Sequence, residues 1–405
     1  MTAANLRESV AANRSCPASL LGVLARTDEF WTRLAVAGNP AAGDDLLGDL
    51  THDVEASVRL AVACNLSASV EVISNLLEDT DDRVRRATLA HRQCPTESLI
   101  KAAAGTAEDR AAAAGNLDCP GEILAELASD KSRIVAQVAL ANPAVPARVL
   151  VRRASLTCNL MMAANPRTPA ETLSALAKDP FADVRRTVAR NLFAPPLALK
   201  NLASDSDGGV RMSALSHPAC WRNLVIEASA SKDASLRAAA ASNRLCSLEV
   251  LLVLAGDDVW QVRRAVASAG RDSLLVRMLG ALAGDGHPAV REGLAANLSS
   301  NHTLLQQLAR DESLRVRAAV AGNRSALPDT LAKLASDEAP VVRRAAAHND
   351  RLPPEAQRRL ASDADRLVVT TLARWSTDSD LLFEMLGDGL RRSHIVRRPG
   401  PTSTG

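Results

Sequence analysis

One short motif returns along this 405-residue chain at a nearly fixed step, and that step limits what the chain can fold into. The motif is clearest in Val316-Arg317-Ala318-Ala319-Val320-Ala321-Gly322-Asn323. With the final Asn as marker, copies fall at Asn13, Asn39, Asn65, His91, Asn116, Asn142, Asn165, Asn191, His217, Asn243, Ala269, Asn297, Asn323 and Asn349. Ten of the thirteen steps are 26 residues long, and the other three are 25, 23 and 28. Six residues before the marker stands Arg in twelve of the fourteen copies, Ala136 and Asn159 being the exceptions. A unit this short cannot bury its own apolar side, so the period implies units stacked on one another.

Within a copy, Leu314, Val316, Ala319, Val320 and Asn323 share one helical face, which gives a first helix of about nine residues. Asn tolerates left-handed backbone, so the marker is expected to end that helix in this conformation while its amide bonds freed backbone groups. Pro often follows four residues later (Pro17, Pro95, Pro120, Pro146, Pro169, Pro195, Pro353), where it opens a second helix without losing a hydrogen bond. That helix runs through Leu331, Leu334 and Ala335 to near Asp337, and is read as α rather than 3₁₀. Helices of about ten residues are marginal alone, so stacking must stabilise them. The expected fold is all-α: a right-handed α-solenoid of about fourteen 26-residue helical hairpins over residues 1–375. A C-terminal cap with a polar outer face is expected at 376–390, and a disordered basic tail at 391–405, carrying Arg391, Arg392, Arg397 and Arg398.

An acidic column accompanies the basic one. The pairs six apart are Asp53 with Arg59, Asp79 with Arg85, Asp179 with Arg185, Asp205 with Arg211, Asp257 with Arg263, Asp285 with Arg291, Asp311 with Arg317, and Asp337 with Arg343. Such pairs suit a structural ladder in which each Asp satisfies an Arg of the same or the next unit, because a ligand site seldom recurs in every repeat. The planar guanidinium fork fixes the stagger between units better than Lys would. The Asn column reads as a second ladder, bonding the turn backbone of the adjacent unit. His91 and His217 are substitutes in it, since imidazole also donates and accepts.

The string Asp179-Pro180-Phe181-Ala182-Asp183-Val184-Arg185 followed by Asn191 resembles HEAT-type repeats. The fuller unit resembles the leucine-rich repeat variant family, as in Asn165-Pro166-Arg167-Thr168-Pro169 and Leu173 to Asp179. The resemblance covers about residues 1–365 and implies a binding scaffold. A member of the variant family carries an N-terminal iron–sulfur module, but this chain enters its first repeat by residue 6 and offers no matching cluster of four cysteines. HEAT-like folds also include glycosylases for alkylated bases that work in an aromatic groove. Trp31, Trp221, Trp260 and Trp375 lie too far apart in a linear array to form one.

Five of the seven cysteines (Cys16, Cys94, Cys119, Cys220, Cys246) sit three residues past the marker, a slot that elsewhere holds Ala42, Ala68, Thr168, Ala194, Ser300 or Ala326. The slot therefore wants a small buried side chain. Equivalent slots in adjacent repeats should lie about 9–10 Å apart, too far for the pairs Cys94/Cys119 and Cys220/Cys246 to form disulfides. No Cys-x-x-Cys supports zinc, and neither cofactor nor metal is expected.

Two irregularities interrupt the array. The short copy between Asn142 and Asn165 carries Asn159, Cys158, Met161 and Met162 in motif slots and suggests a kink near 145–165. The 28-residue step before Asn297, with Asp285-Gly286-His287-Pro288, reads as a longer loop.

Net charge is +2 and no apolar run is long enough to span a membrane, so a soluble cytoplasmic chain without a membrane partner is expected. The 42 Arg against 6 Lys fit a GC-rich bacterial genome. No phosphate loop, His-Glu-x-x-His or Gly-x-Ser-x-Gly is present, so neither catalysis nor a small-molecule substrate is expected. The leading expectation is a noncatalytic scaffold presenting an extended surface to an unidentified protein partner. The alternative is nucleic-acid binding through turn arginines one or two residues past the marker: Arg14, Arg92, Arg167, Arg244, Arg271, Arg324 and Arg351.

Overall fold

The structure is a computed structural model that describes residues 3–151, 156–269 and 276–387. Among the described residues are 29 α-helices, one 3₁₀ helix and no strand. Each repeat is a hairpin of two helices, and the sequence explains both. In the first helix, residues seven, three and two before the marker are apolar and lie on one side. Val184, Val188 and Ala189 show the pattern and are fully buried. Its first turn is often capped by an acidic side chain, as where Asp207 accepts from the Val210 amide at 2.9 Å. The second helix buries Leu at a spacing of three, as in Leu331 and Leu334. It is α-helical throughout the described repeats except at Ala147–Val151, which is 3₁₀. Proline sits at the N-cap, one residue before the helix begins, as at Pro169 before Ala170–Leu176.

The marker does not adopt the left-handed conformation expected of it. Asn116, Asn142, Asn191, Asn243, Asn297 and Asn323 are all extended, and no described residue other than glycine has positive φ. The reason is the amide's destination. It leaves its own helix and reaches the preceding repeat, which requires the chain to turn outward at once.

The chain divides into two compact units: residues 1–93 with 327–405, and residues 94–326. In the second unit the first helices stack in chain order from Ala107–Gly115 to Leu314–Gly322, each on the next. They pack more closely than the second helices do, because Ala, Gly and Ser dominate their facing sides. The first unit joins the two chain ends. Its first helices stack in the order Pro340–Ala347, Arg366–Trp375, Ala3–Ala11, Phe30–Ala37, Ala56–Ala63 and Asp82–Ala90. The last repeat thus lacks the polar outer face expected of a cap. Ala3–Ala11 covers Arg366–Trp375 and also touches the final helix, Ser379–Leu386. Sequence distance is therefore no measure of spatial distance here, and the linear-array premise does not hold for Trp31 and Trp375, which belong to one unit.

Near the expected kink, residues 152–155 lie outside the described residues, but the marker ladder runs through the region: Asn165 donates to the carbonyls of Leu140 and Asn142 at 2.8 and 3.0 Å. The Asp285–Pro288 segment is not a longer loop. Asp285 accepts from the His287 amide at 2.8 Å, the turn made by Asp205 with Asp207 and by Asp257 with Val259. Residues 270–275, earlier in the 28-residue step, lie outside the described residues. The 391–405 tail is outside it as well.

Candidate interaction surface

Two hydrogen-bond ladders fix the repeat register and use most of the motif's polar atoms. In the first, the marker Nδ2 donates twice to the preceding repeat. Asn39 reaches the Ala11 and Asn13 carbonyls at 2.6 and 2.7 Å, and its Oδ1 accepts from the Ala41 amide at 2.8 Å. Asn65, Asn142, Asn191 and Asn323 do the same. His91 and His217 each place Nε2 3.0 Å from the preceding marker's carbonyl, while Nδ1 accepts from the amide two residues on. Those two bonds select the Nε2-protonated neutral tautomer. Burial pushes both imidazoles below their usual pKa, against the raising effect of the carbonyl bond.

In the second ladder the Asp that binds an Arg stands 20 residues after it, not six before. The Arg33 Nε and Nη2 hold the two Asp53 oxygens at 2.7 and 3.1 Å. The same fork joins Arg59 to Asp79, Arg110 to Asp130, Arg185 to Asp205, Arg237 to Asp257, Arg291 to Asp311 and Arg343 to Asp363, and Arg263 to Asp285 across 22 residues. Pairs six apart meet differently: Arg59 Nη1 donates to the main-chain carbonyl of Asp53 at 2.8 Å. Each Arg thus ties its own turn to the next repeat. The Arg guanidinium holds Asp79, Asp130, Asp205, Asp257, Asp285 and Asp363 below the usual carboxylate range, against burial. At Asp53 and Asp311 burial pushes upward most, yet their Arg partners and turn amides together still bring them down.

Asp130 and Asp363 are rungs that the six-residue spacing misses, because Ala136 and Val369 stand where an Arg would mark them. A search for Asp 20 residues after each Arg finds both. Three of the expected ladder positions depart from the fork. Arg85 bonds the Asp79 carbonyl and pairs with Asp82. Arg211 has Ser231 at the partner position in the sequence and donates to the Asp205 and Ser206 carbonyls, at 2.8 and 3.0 Å. Asp179 accepts from Asn159 at 2.8 Å, so the Asn in the Arg column keeps a neutral rung. Arg317 bonds the Asp311 carbonyl at 2.9 Å, and Asp337 accepts from the Ala339 amide and through its carbonyl from Arg343.

The turn arginines are a different population. Arg14, Arg92 and Arg351 are exposed in the first unit, and Arg167, Arg244 and Arg324 in the second; Arg271 lies outside the described residues. They do not stand alone on their edge. The position just past the marker is Leu in other repeats, and Leu66, Leu117, Leu192 and Leu298 are 78, 48, 71 and 66 % exposed. In the second unit Phe193, Leu197 and Trp221 add to Leu192, and the Lys200 ammonium sits 4.9 Å from the Trp221 ring centre. The other tryptophans pack on neighbours of their own: Trp31 on Phe30, Trp260 on His287 and Trp375 on His348.

Among the described residues, no group of three or more His, Cys, Asp or Glu could hold a metal, and no helix is long and apolar enough to cross a membrane. All seven cysteines carry free thiols; the five in the post-marker slot are buried, and Cys64 is exposed.

No family model and no curated protein matches the chain. Solved structures similar to it are helical-repeat proteins. A leucine-rich repeat variant with a novel repetitive structural motif shares 22 % identity over 61 % of this chain and 87 % of its own, with a TM-score of 0.30. An engineered protein shares 17 % identity over 90 % of this chain and 98 % of its own, at 0.24. Kap95p, whose binding induces the switch loops of RanGDP to adopt the GTP-bound conformation, shares 14 % over 92 % of this chain and 51 % of its own, at 0.25. The chain is an all-α helical-repeat protein, and the two ladders are the basis for saying so.

Proposed function

We propose that the chain is a noncatalytic scaffold that holds a protein partner against its marker-turn edge and the exposed side of its first helices. One observation carries the reading: Leu192 and Phe193 on the turn after Asn191 and Leu197 in the helix Pro196–Leu202 that follows are 62–71 % exposed. Large apolar groups grouped on a surface favour burial against another apolar surface. The ladders support the noncatalytic part. Their carboxylates and guanidiniums are bound to one another and carry depressed Asp pKa values, which suits structure better than proton transfer.

The second reading, nucleic-acid binding, rests on Arg167 and Arg244, both exposed on the same edge. Phosphate tracking needs cations at regular intervals, and the Leu turns between them interrupt the row. Affinity purification of the tagged full chain from its native cell, with and without nuclease, separates the two readings. A partner protein retained after nuclease supports the scaffold; a partner lost with nuclease, or RNA or DNA recovered alone, supports the rival.

A further inference from the structure

The exposed side of the first helices carries a groove where the scaffold reading gains a specific occupant. Two adjoining cavities of about 410 and 400 Å³ share Met212 and Ser216 and form one trough across four helices: Ala182–Arg190, Gly208–Ser216, Ala234–Ser242 and Trp260–Ala267. All four belong to the second unit. Arg190 and Leu192 line one end, Ala238 and Ser242 the middle, and Gln261 the other.

The trough opens where outward slots of the repeat hold short side chains, at Ser216, Ala238 and Ser242. One residue before the marker stand Ser216, Ser242 and Ser268; five before it stand Arg186, Met212, Ala238, Arg264 and then Glu292. Short side chains leave the space, and their hydroxyls supply donors and acceptors. Met212, 41 % exposed, is the one large flexible apolar group in the floor.

Its lining carries one charged side chain, Arg190, while Asp207 and Asp233 at the helix starts beside it are held by Arg186 and by the Ser235 amide, and Asp258 is exposed next to Val259. Across the four helices the only acid is Asp183, and it is already bonded by Arg186, which also binds Asp207. Arg190 and Arg264 are exposed and make no ion pair among the described residues. An exposed cation at the end of a groove favours an anionic group on its occupant.

We propose that this trough binds an extended acidic segment of a partner protein, with one large apolar side chain seated between Leu192 and Met212 and a neighbouring carboxylate on Arg190. Helices packed at about 8–10 Å spacing make three steps of about 25–30 Å, which an extended chain at about 3.3 Å per residue crosses in about eight residues. The Arg190 guanidinium takes the carboxylate as a planar fork. The serines and Gln261 meet the peptide backbone.

The inference rests on the scaffold reading and narrows it. Its test pans a phage-displayed library of random linear 12-residue peptides against the full chain. The expected consensus places Leu, Met, Phe or Trp within a few residues of Asp or Glu. Affinity of an enriched synthetic peptide should fall at least about tenfold in Arg190→Glu and in Met212→Glu, and stay within about twofold in Lys333→Glu on a second helix of the other unit. Both groove positions are exposed, so unchanged circular dichroism and melting are expected and would be checked. No enrichment, a consensus without acids, unchanged affinity in Arg190→Glu, or displacement of the peptide by a 20-nucleotide single-stranded RNA overturns the proposal. If purified partners stay bound to both groove variants, the groove assignment fails while the scaffold reading stands. If no protein partner is recovered but the peptide binds as described, the scaffold reading fails instead.

Discussion

The Asn13 carboxamide donates to the main-chain carbonyl of Ala373 at 2.8 Å, across 360 residues of sequence, and to that of Ser376 at the same distance. This is the bond that Asn39 makes to Ala11 and Asn13 in the interior of the unit. The first repeat therefore sits on the last as any repeat sits on the one before it. The ion ladder does not follow: Arg7 pairs with Glu29, and Val369 stands where the last repeat would place an Arg. The contact between chain ends relies on Asn13 and on apolar packing of Val10 and Ala11 against the Arg366–Trp375 helix, whose Val368 and Leu372 are likewise buried.

Replacing Asn13 by Ala should accordingly loosen both ends together. Two buried carbonyls lose their donor, a cost of about 1–3 kcal/mol. Hydrogen exchange should accelerate in Ala3–Ala11 and Arg366–Trp375 alike, and remain unchanged in Pro288–Ala296. Asn13→Asp should do the same, because a carboxylate only accepts and would face two acceptors. Exchange confined to the N-terminal helix would show that the two ends do not stabilise each other.

Ser231 marks a rung that can be restored. It stands 20 residues after Arg211, where other repeats carry Asp, and its hydroxyl already accepts from the Asp233 amide at 3.1 Å, as ladder Asp residues do from theirs. A cavity of about 140 Å³ opens beside it, lined by Leu215, Leu224 and Leu236. Ser231→Asp should fill the site and raise stability by about 1 kcal/mol at neutral pH, most of it absent when Arg211 is Ala. Thermal melts of the four chains in that cycle measure the coupling. No coupling would mean that Arg211 cannot swing from its two carbonyls to a carboxylate.

Acid should dismantle the ion ladder, and slightly less acid should strain two marker rungs. The ladder carboxylates have depressed native pKa values, so the unfolded chain binds protons first. Their stabilisation is complete above the unfolded value of about 3.9 and is lost as pH falls through the lower native values. His91 and His217 are depressed as well, by burial. Their contribution is complete above about 6.5 and is lost as pH falls from there toward the native values. Protonation would put a proton on Nδ1, facing the amides of Gln93 and Ala219 that now donate to it. Urea midpoints should thus decline as pH falls from about 6.5, then drop steeply below about 4. Changing both histidines to Asn should flatten the first decline and leave the second. A first decline that survives the double change would assign it elsewhere.

The sequence carries the architecture far better than the surface. Period and face spacing are enough to place helices such as Ala182–Arg190, because a buried stripe leaves a regular mark. The Asn and Arg columns announce two ladders, yet only the fold reveals that Asp53 serves Arg33 with its carboxylate and Arg59 with its carbonyl. A spacing of six within one repeat hides a bond of 20 between two. The bond from Asn13 to Ala373 leaves no trace in a period, since the period relates only neighbouring repeats. The groove at Met212 is equally silent, being made by what Ser216, Ala238 and Ser242 lack.

The cysteine slot gives a prediction that tests burial directly. Burial pushes the Cys16 thiol up to about 12 and those of Cys94 and Cys119 up to about 11, so little thiolate exists near pH 8 to attack a disulfide reagent. Cys64 is exposed, although its pKa too is raised. In the native chain Cys64 should react first, and the five slot thiols only when their repeats open. The slot tolerates a hydroxyl where an acceptor is near: Thr168 and Ser300 donate to the Met162 and Leu294 carbonyls, six residues back, at 2.5 and 2.7 Å. Cys94→Ser should therefore cost at most about 1 kcal/mol, while Cys94→Val, which inserts a branched group into a packed slot, should cost about 1–3 kcal/mol. Labelling with an aromatic disulfide in rising urea measures both effects. Rapid labelling of Cys16 or Cys119 without denaturant would place those thiols at the surface and contradict the packing described for every slot of the series.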